Sequence, residues 1–296
     1  KQLKKIIKKE KYTLIHCHTP MGGVATRLAA KSFNKSQSKQ GLKRTRVIYT
    51  AHGFHFYHGA PLLNWLLFYP VEKHLAKYTD TLITINQEDF NLATKKFKRR
   101  CKNIEYIPGV GIDPKKFDFK MSPSEKHNLR KSLGLKDDDF VMIFPAEISK
   151  RKNQEWLIQT IEELFKKHKN FHLLLAGRDS LNGKCDKLIK NLGLENQVHL
   201  LGYRKDIPQL LMASNLALSS ARFEGLPINI LEALYSKLPV VAIKCRGASE
   251  LIKDGVNGFL IKPYNGQDFV NSIKKIYSTS SSKTHSRQKY LDDFLL

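Results

Sequence analysis

Short apolar runs alternate with amphipathic helical stretches along nearly the whole chain, and few architectures accept that pattern. The apolar runs cover 12–18, 46–51, 80–85 and 103–108, then 140–146, 171–176, 197–201, 215–219, 239–243 and 258–261. Helical patterns lie between them, among others over 62–77, 154–168, 227–237 and 267–277. A continuous apolar run bounded by turn residues and followed by a helix marks a parallel strand buried on both faces. The fold class is therefore α/β, with parallel sheets wound by helices.

The alternation breaks between Ile112 and Asp139, where Asp113-Pro114, Ser122-Pro123 and Asp137 to Asp139 favour turns. This places a domain boundary near 118–122: an N-terminal domain over 1–120 and a C-terminal domain over 121–278. Six strands suffice for a complete doubly wound domain, whereas the four of the first half leave it incomplete, short of opening strands and helices. The Ser- and Thr-rich tail over 279–296 reads as a polar linker before a short helix at 288–295.

Composition excludes more than it selects. The four cysteines, at 17, 101, 185 and 245, form no C-x-x-C pair, so neither a zinc module nor a secreted disulfide framework is indicated. The formal net charge of +24 attracts polyanions. No nucleic-acid-binding motif or basic-aromatic platform accompanies it, which leaves a solvated basic surface or an anionic membrane and sets nucleic acid aside. The apolar stretch 61–71 is too short to span a bilayer.

The most informative stretch runs from Ser219 to Ala233, through Arg222-Phe223-Glu224-Gly225-Leu226-Pro227-Ile228-Asn229 to Glu232. It leaves a strand, turns at Gly225 and enters a helix with Pro227 near its first position, where proline fits. The free N–H groups and positive dipole end of such a helix suit a diphosphate. Taken singly, Glu224 reads as a first-turn carboxylate and Glu232 as a surface helix residue. Their separation, about 12 Å of helical rise or less, instead suits one carboxylate on a sugar and the other on a ribose.

Glu-x7-Glu in a strand-turn-helix setting resembles the signature of glycosyltransferase family 4. The resemblance continues, in order, in Leu201-Gly202-Tyr203-Arg204-Lys205-Asp206, in Gly247-Ala248-Ser249-Glu250-Leu251 and in Asp254-Gly255-Val256-Asn257-Gly258-Phe259. It implies the GT-B architecture: two Rossmann-like doubly wound domains facing across a cleft, the second holding the nucleotide. It also implies a Gly-rich loop ahead of Lys1, in keeping with an incomplete first domain. On this resemblance Glu224 contacts the donor sugar, Glu232 the ribose hydroxyls, and the backbone from Gly225 through Leu226, Pro227 and Ile228 to Asn229 cradles the phosphates. Tyr203, Arg204 and Asp206 fall near the base.

Glu147-Ile148-Ser149-Lys150-Arg151-Lys152-Asn153 follows the strand at 140–146, at the sheet edge where open α/β folds bind ligands. The family pattern implies an arginine just after the strand and a lysine about five residues on, both neutralising diphosphate. Lys152 matches the lysine. Glu147 stands where the arginine belongs, and Lys150 and Arg151 are candidates for the missing charge. In the first half, Thr50-Ala51-His52-Gly53 matches the family's strand-end histidine beside the donor sugar, so His52 joins Glu224 as a catalytic candidate. His16 and His18 share a strand face, but no third ligand completes a metal site. The 62–69 stretch, with Trp65 and Phe68, reads as a buried cleft-side helix or as a segment dipping into a membrane interface; burial is favoured.

The resemblance thus implies a retaining transferase that uses a nucleotide sugar, UDP-linked by preference, with no cofactor and no essential metal. Its acceptor would be a glycan or a lipid-diphosphate-linked glycan of bacterial capsule or exopolysaccharide. Its location would be cytoplasmic and peripheral, at the inner face of an anionic membrane. An epimerase or hydrolase of nucleotide sugars on the same fold, and a non-catalytic basic remnant, are the competing readings. Product analysis separates the first and absence of nucleotide-sugar binding the second. Activity that survives EDTA is expected, since relatives of this fold do without an essential divalent ion.

Overall fold

The computed structural model describes residues 2–281 and separates into two compact units, Lys1–Val110 and Gly111–Leu296. The first unit opens with helix α1 (Gln2–Glu10), then β1 (Leu14–His18), α2 (Pro20–Lys39), β2 (Arg46–Ala51), α3 (Leu62–Leu75), β3 (Thr81–Thr84), α4 (Gln87–Phe97) and β4 (Asn103–Tyr106). Its four strands pair in chain order, all parallel. Val47, Tyr49 and Leu82 meet Ala30 of α2 and Phe97 of α4 in one core. Within that core Arg27 makes two hydrogen bonds to Glu72, of 2.8 and 3.0 Å, and its guanidinium lies 4.0 Å from the Tyr49 ring centroid. Removing either partner of so buried a pair would strand the other charge.

The second unit holds α5 (Pro123–Ser132), β5 (Phe140–Pro145), α6 (Gln154–Lys167), β6 (Phe171–Ala176), α7 (Lys184–Leu192), β7 (Val198–Gly202), α8 (Ile207–Ala213), β8 (Leu216–Ser219), α9 (Ile228–Tyr235), β9 (Val240–Ile243), α10 (Arg246–Leu251), β10 (Gly258–Ile261) and α11 (Gly266–Ser281). The strands pair in parallel in the order β10-β9-β8-β5-β6-β7. Both faces are buried, which is why the strands read as unbroken apolar runs. Phe140, Met142 and Phe144 point into a core with Leu157, Ile161 and Phe269, while Val141 and Ile143 point into the opposite core with Leu210, Ile230 and Leu234.

Ahead of the boundary expected near 118–122 the two units divide between Val110 and Gly111, and Phe117 is buried in the second unit's core while Tyr235 donates to Asp118 at 2.9 Å. Helix α11 runs on to Ser281, past the start of the linker expected over 279–296; the rest of that linker and the short helix expected at 288–295 lie outside the described residues.

Candidate active site

In the second unit the strand formed first, β5, lies beside β8, the strand that follows the crossover from the far side of the sheet. Connections leave the two in opposite directions, which opens a crevice beyond their carboxyl ends. The loops that fill it are 146–153 after β5 and 220–227 after β8. They are tied together by backbone: Ser220 Oγ donates to the Lys152 carbonyl at 2.8 Å, and the Arg222 N–H to the Arg151 carbonyl at 2.9 Å. Asn153 takes a left-handed conformation, φ 61°, just before α6, and its side-chain oxygen accepts from Arg222 at 3.1 Å.

This bracing delivers three charged side chains to one point. The Lys152 ammonium lies 2.6 Å and the Arg151 guanidinium 2.7 Å from the same oxygen of Glu224. Lys152 and Glu224 are both buried, whereas Arg151 is partly exposed. Two cations on one carboxylate leave positive charge to spare beside the first turn of α9, whose N–H groups at Ile228 and Asn229 have no acceptor within the helix. Pro227, expected within that helix, is its N-cap and contributes no N–H to a phosphate. The loop's path is set partly from outside: Arg246 Nε donates to the Glu224 carbonyl at 3.2 Å. Gly247 must be a glycine, because a Cβ there would fall 2.6 Å from the Gly225 oxygen and 2.8 Å from Pro227 Cδ.

Glu147 does not take an arginine's part. Its carboxylate accepts a hydrogen bond from the Ser180 hydroxyl, and its carbonyl accepts from Gln154 at 2.9 Å. Of the two candidates for the missing cation, Arg151 is in the Glu224 cluster, while Lys150 is exposed. At the carboxyl ends of β5, β6 and β7 a cavity of about 350 Å³ is lined by Glu147, Arg178, Tyr203, Arg204 and Glu232, among others. Burial, partly offset by Lys116, raises the Glu232 carboxyl above its ordinary value. Asp206 grips Arg204 Nε at 2.8 Å and acts on the cavity through it. Arg178, which no sequence motif marked, lies 5.0 Å from the Tyr203 ring centroid on the same cavity.

In the first unit His52 follows β2, and its Nε2 lies 3.0 Å from Nδ1 of His18 at the end of the neighbouring β1. His16 hydrogen-bonds Thr50 at 2.8 Å. Burial, followed by the charges of His18 and His16, lowers the His52 imidazole below its ordinary value, which favours the neutral ring. Gly53 has φ 136° and Thr19 φ 63°, so the backbone is forced at both strand ends beside these rings. No group of three or more His, Cys, Asp or Glu able to hold a metal occurs among the described residues.

A doubly wound parallel unit with a crevice at its switch point, preceded by a second parallel α/β unit, is the architecture of the GT-B glycosyltransferases. The pattern of glycosyltransferase family 4 matches residues 1–116 and that of glycosyl transferases group 1 matches residues 125–290. The chain belongs to glycosyltransferase family 4. It is 40% identical to EpsD of Bacillus subtilis (strain 168), a protein named as a glycosyltransferase, over 94% of this chain and 70% of that one. It is 27% identical to the UDP-Gal:alpha-D-GlcNAc-diphosphoundecaprenol alpha-1,3-galactosyltransferase of Escherichia coli, over 93% of this chain and 68% of that one. The crystal structure of Anabaena Alr3699/HepE in complex with UDP and glucose superposes with a TM-score of 0.77 at 25% identity, covering 98% of this chain and 74% of that one.

Proposed function

We propose that this chain transfers a sugar from a UDP-linked donor to a glycan carried on lipid diphosphate, with retention of anomeric configuration, in bacterial surface polysaccharide synthesis. The observation that carries the reading is the Lys152–Glu224–Arg151 cluster in the loops after β5 and β8, in the same unit as the cavity that Glu232 lines. A diphosphate there draws on both cations and the helix N-terminus, and the charge that builds on the leaving group is met by groups already in place. The ribose hydroxyls donate to the Glu232 carboxylate, and the base takes the end of the cavity near Tyr203 and Arg204. Glu224 holds the sugar while the acceptor hydroxyl attacks from the side the diphosphate leaves, and His52 keeps the role that the family pattern implies for it. No divalent ion is required in this scheme.

The relatives support the choice of partners: the Escherichia coli enzyme is named for a UDP-galactose donor and a diphosphoundecaprenol acceptor, and the Anabaena protein holds UDP and glucose. A lipid-borne acceptor in turn places the work at the inner face of the cell membrane. Calorimetric titration with UDP, GDP and their common sugar conjugates tests the donor site. UDP binds, and both Lys152→Ala and Glu232→Ala abolish or strongly weaken the binding. A folded chain that binds no nucleotide defeats the proposal.

A further inference from the structure

Helix α3 is turned inside out. Trp65 and Tyr69 pack inward on the first unit's core, with ring centroids 5.6 and 5.5 Å from Phe56, and Glu72 meets Arg27. The opposite face, where a solvated helix carries charge, consists of Leu62, Leu63, Leu66, Leu67, Pro70 and Val71. Leu62, Leu63 and Leu66 are 74%, 62% and 63% exposed. No Asp, Glu, Lys or Arg occurs between Ala51 and Val71. Contiguous apolar surface of this kind marks a place where something binds, and burial, the reading favoured from sequence, is not what the structure shows.

The surroundings say what binds. At the carboxyl end of α3 the ammonium groups of Lys31 and Lys77 lie 4.5 and 5.0 Å from the Tyr78 ring centroid, and that of Lys73 lies 5.5 Å from the Tyr69 centroid. The first unit holds 21 of the 51 basic residues but only 6 of the 27 acidic ones. An apolar ridge ending in lysines, on a strongly basic body, complements an anionic lipid surface. With 14 residues α3 is too short to span the hydrocarbon. Pro70 also leaves the Leu66 carbonyl without its helical donor, a group that the wet interface can satisfy and the bilayer core cannot.

We infer that α3 lies in the plane of an anionic membrane, its Leu62–Leu63–Leu66–Leu67 ridge among the acyl chains and Lys31, Lys73 and Lys77 at the headgroups. This rests on the membrane location proposed above and not on the donor chemistry. The test is co-sedimentation of the full chain with vesicles of phosphatidylethanolamine and phosphatidylglycerol, alongside pure phosphatidylcholine vesicles. The exposed variants Leu66→Ser/Leu67→Ser and Lys31→Glu/Lys77→Glu are compared with the parent, and melting temperature and UDP binding are read on the same samples. The parent binds the anionic vesicles and not phosphatidylcholine. Each double variant lowers partitioning by roughly tenfold or more, with melting and UDP binding unchanged. Equal binding by the leucine variant and the parent overturns the inference. So does a lipid-free dimer that the leucine variant converts to monomer while the parent ignores vesicles, for then a second copy covers the ridge. Vesicle binding without UDP binding would defeat the donor reading and leave this one standing.

Discussion

Glu224 holds two cations on one oxygen, so in the proposed reaction the charge that would meet a leaving diphosphate is fixed in advance. Lys152 is the buried member of the pair, and its removal leaves Arg151 alone and partly exposed beside the same carboxylate. Lys152→Ala is expected to lower kcat by about 10²–10³-fold, the usual cost of one electrostatic stabiliser, read as initial rate at saturating donor. Glu232 adds a pH dependence. Its carboxyl is raised by burial, so as pH falls it becomes neutral sooner than an ordinary glutamate and stops accepting from a ribose. UDP affinity is therefore expected to weaken between pH 7 and pH 5 with this residue present, and to lose that slope in Glu232→Gln; calorimetry at the two pH values decides it. The two glutamates and Lys152 stand out in the sequence because spacing and local setting mark them. Arg178, Arg222, Arg246 and Ser220 do not, since each reaches the site through contacts between loops distant in the chain, which no local pattern encodes.

At the level of elements, strands were readable and strand order was not. Burial on both faces writes β5, β6, β8 and β9 as apolar runs, so these stand out, yet the neighbours of β5 depend on a crossover that leaves no trace in composition. Helix α3 shows the same limit from another side: an apolar helix reads alike whether protein or lipid covers it. Phe117, near the expected boundary, packs into a core whose other members lie far along the chain. The approach of α10 to the loop before α9 leaves no room for a side chain at Gly247. Gly247→Ala is expected to push Gly225 and Pro227 aside and to weaken UDP binding by roughly tenfold or more, a displacement cost transmitted from outside the site. A melting temperature close to the parent's, with affinity reduced, would distinguish this from unfolding. Unchanged affinity would mean that the loop yields without moving its ligand-facing atoms.

Over the whole molecule, stability carries a pH dependence set at the edge of the second sheet opposite the site. Asp139, His172 and His199 form a chain there, with Asp139 to His172 at 3.2 Å and His172 to His199 at 3.1 Å. Burial, then the charge of His172, pushes His199 down to about 4, and burial lowers His172 as well. Below pH 6.5 the unfolded chain therefore binds more protons than the folded one, and stability falls as pH drops from there towards 4. The melting temperature should decline across that window, and His199→Gln should flatten the decline; an equal decline in the variant would place the acid sensitivity elsewhere. The order of the second sheet has one more consequence, which concerns time. Synthesis delivers β5 with Arg151 and Lys152 first, then β6 and β7 on one flank, and only afterwards β8 with Glu224. A nascent chain that has emerged as far as Gly202 carries an open strand edge down the middle of its eventual sheet and two cations still without their counter-charge. The edge of β5 closes and the two charges are neutralised by the same strand and loop, so pairing β8 with β5 also assembles the cation cluster, and β9, β10 and α11 fill the core afterwards.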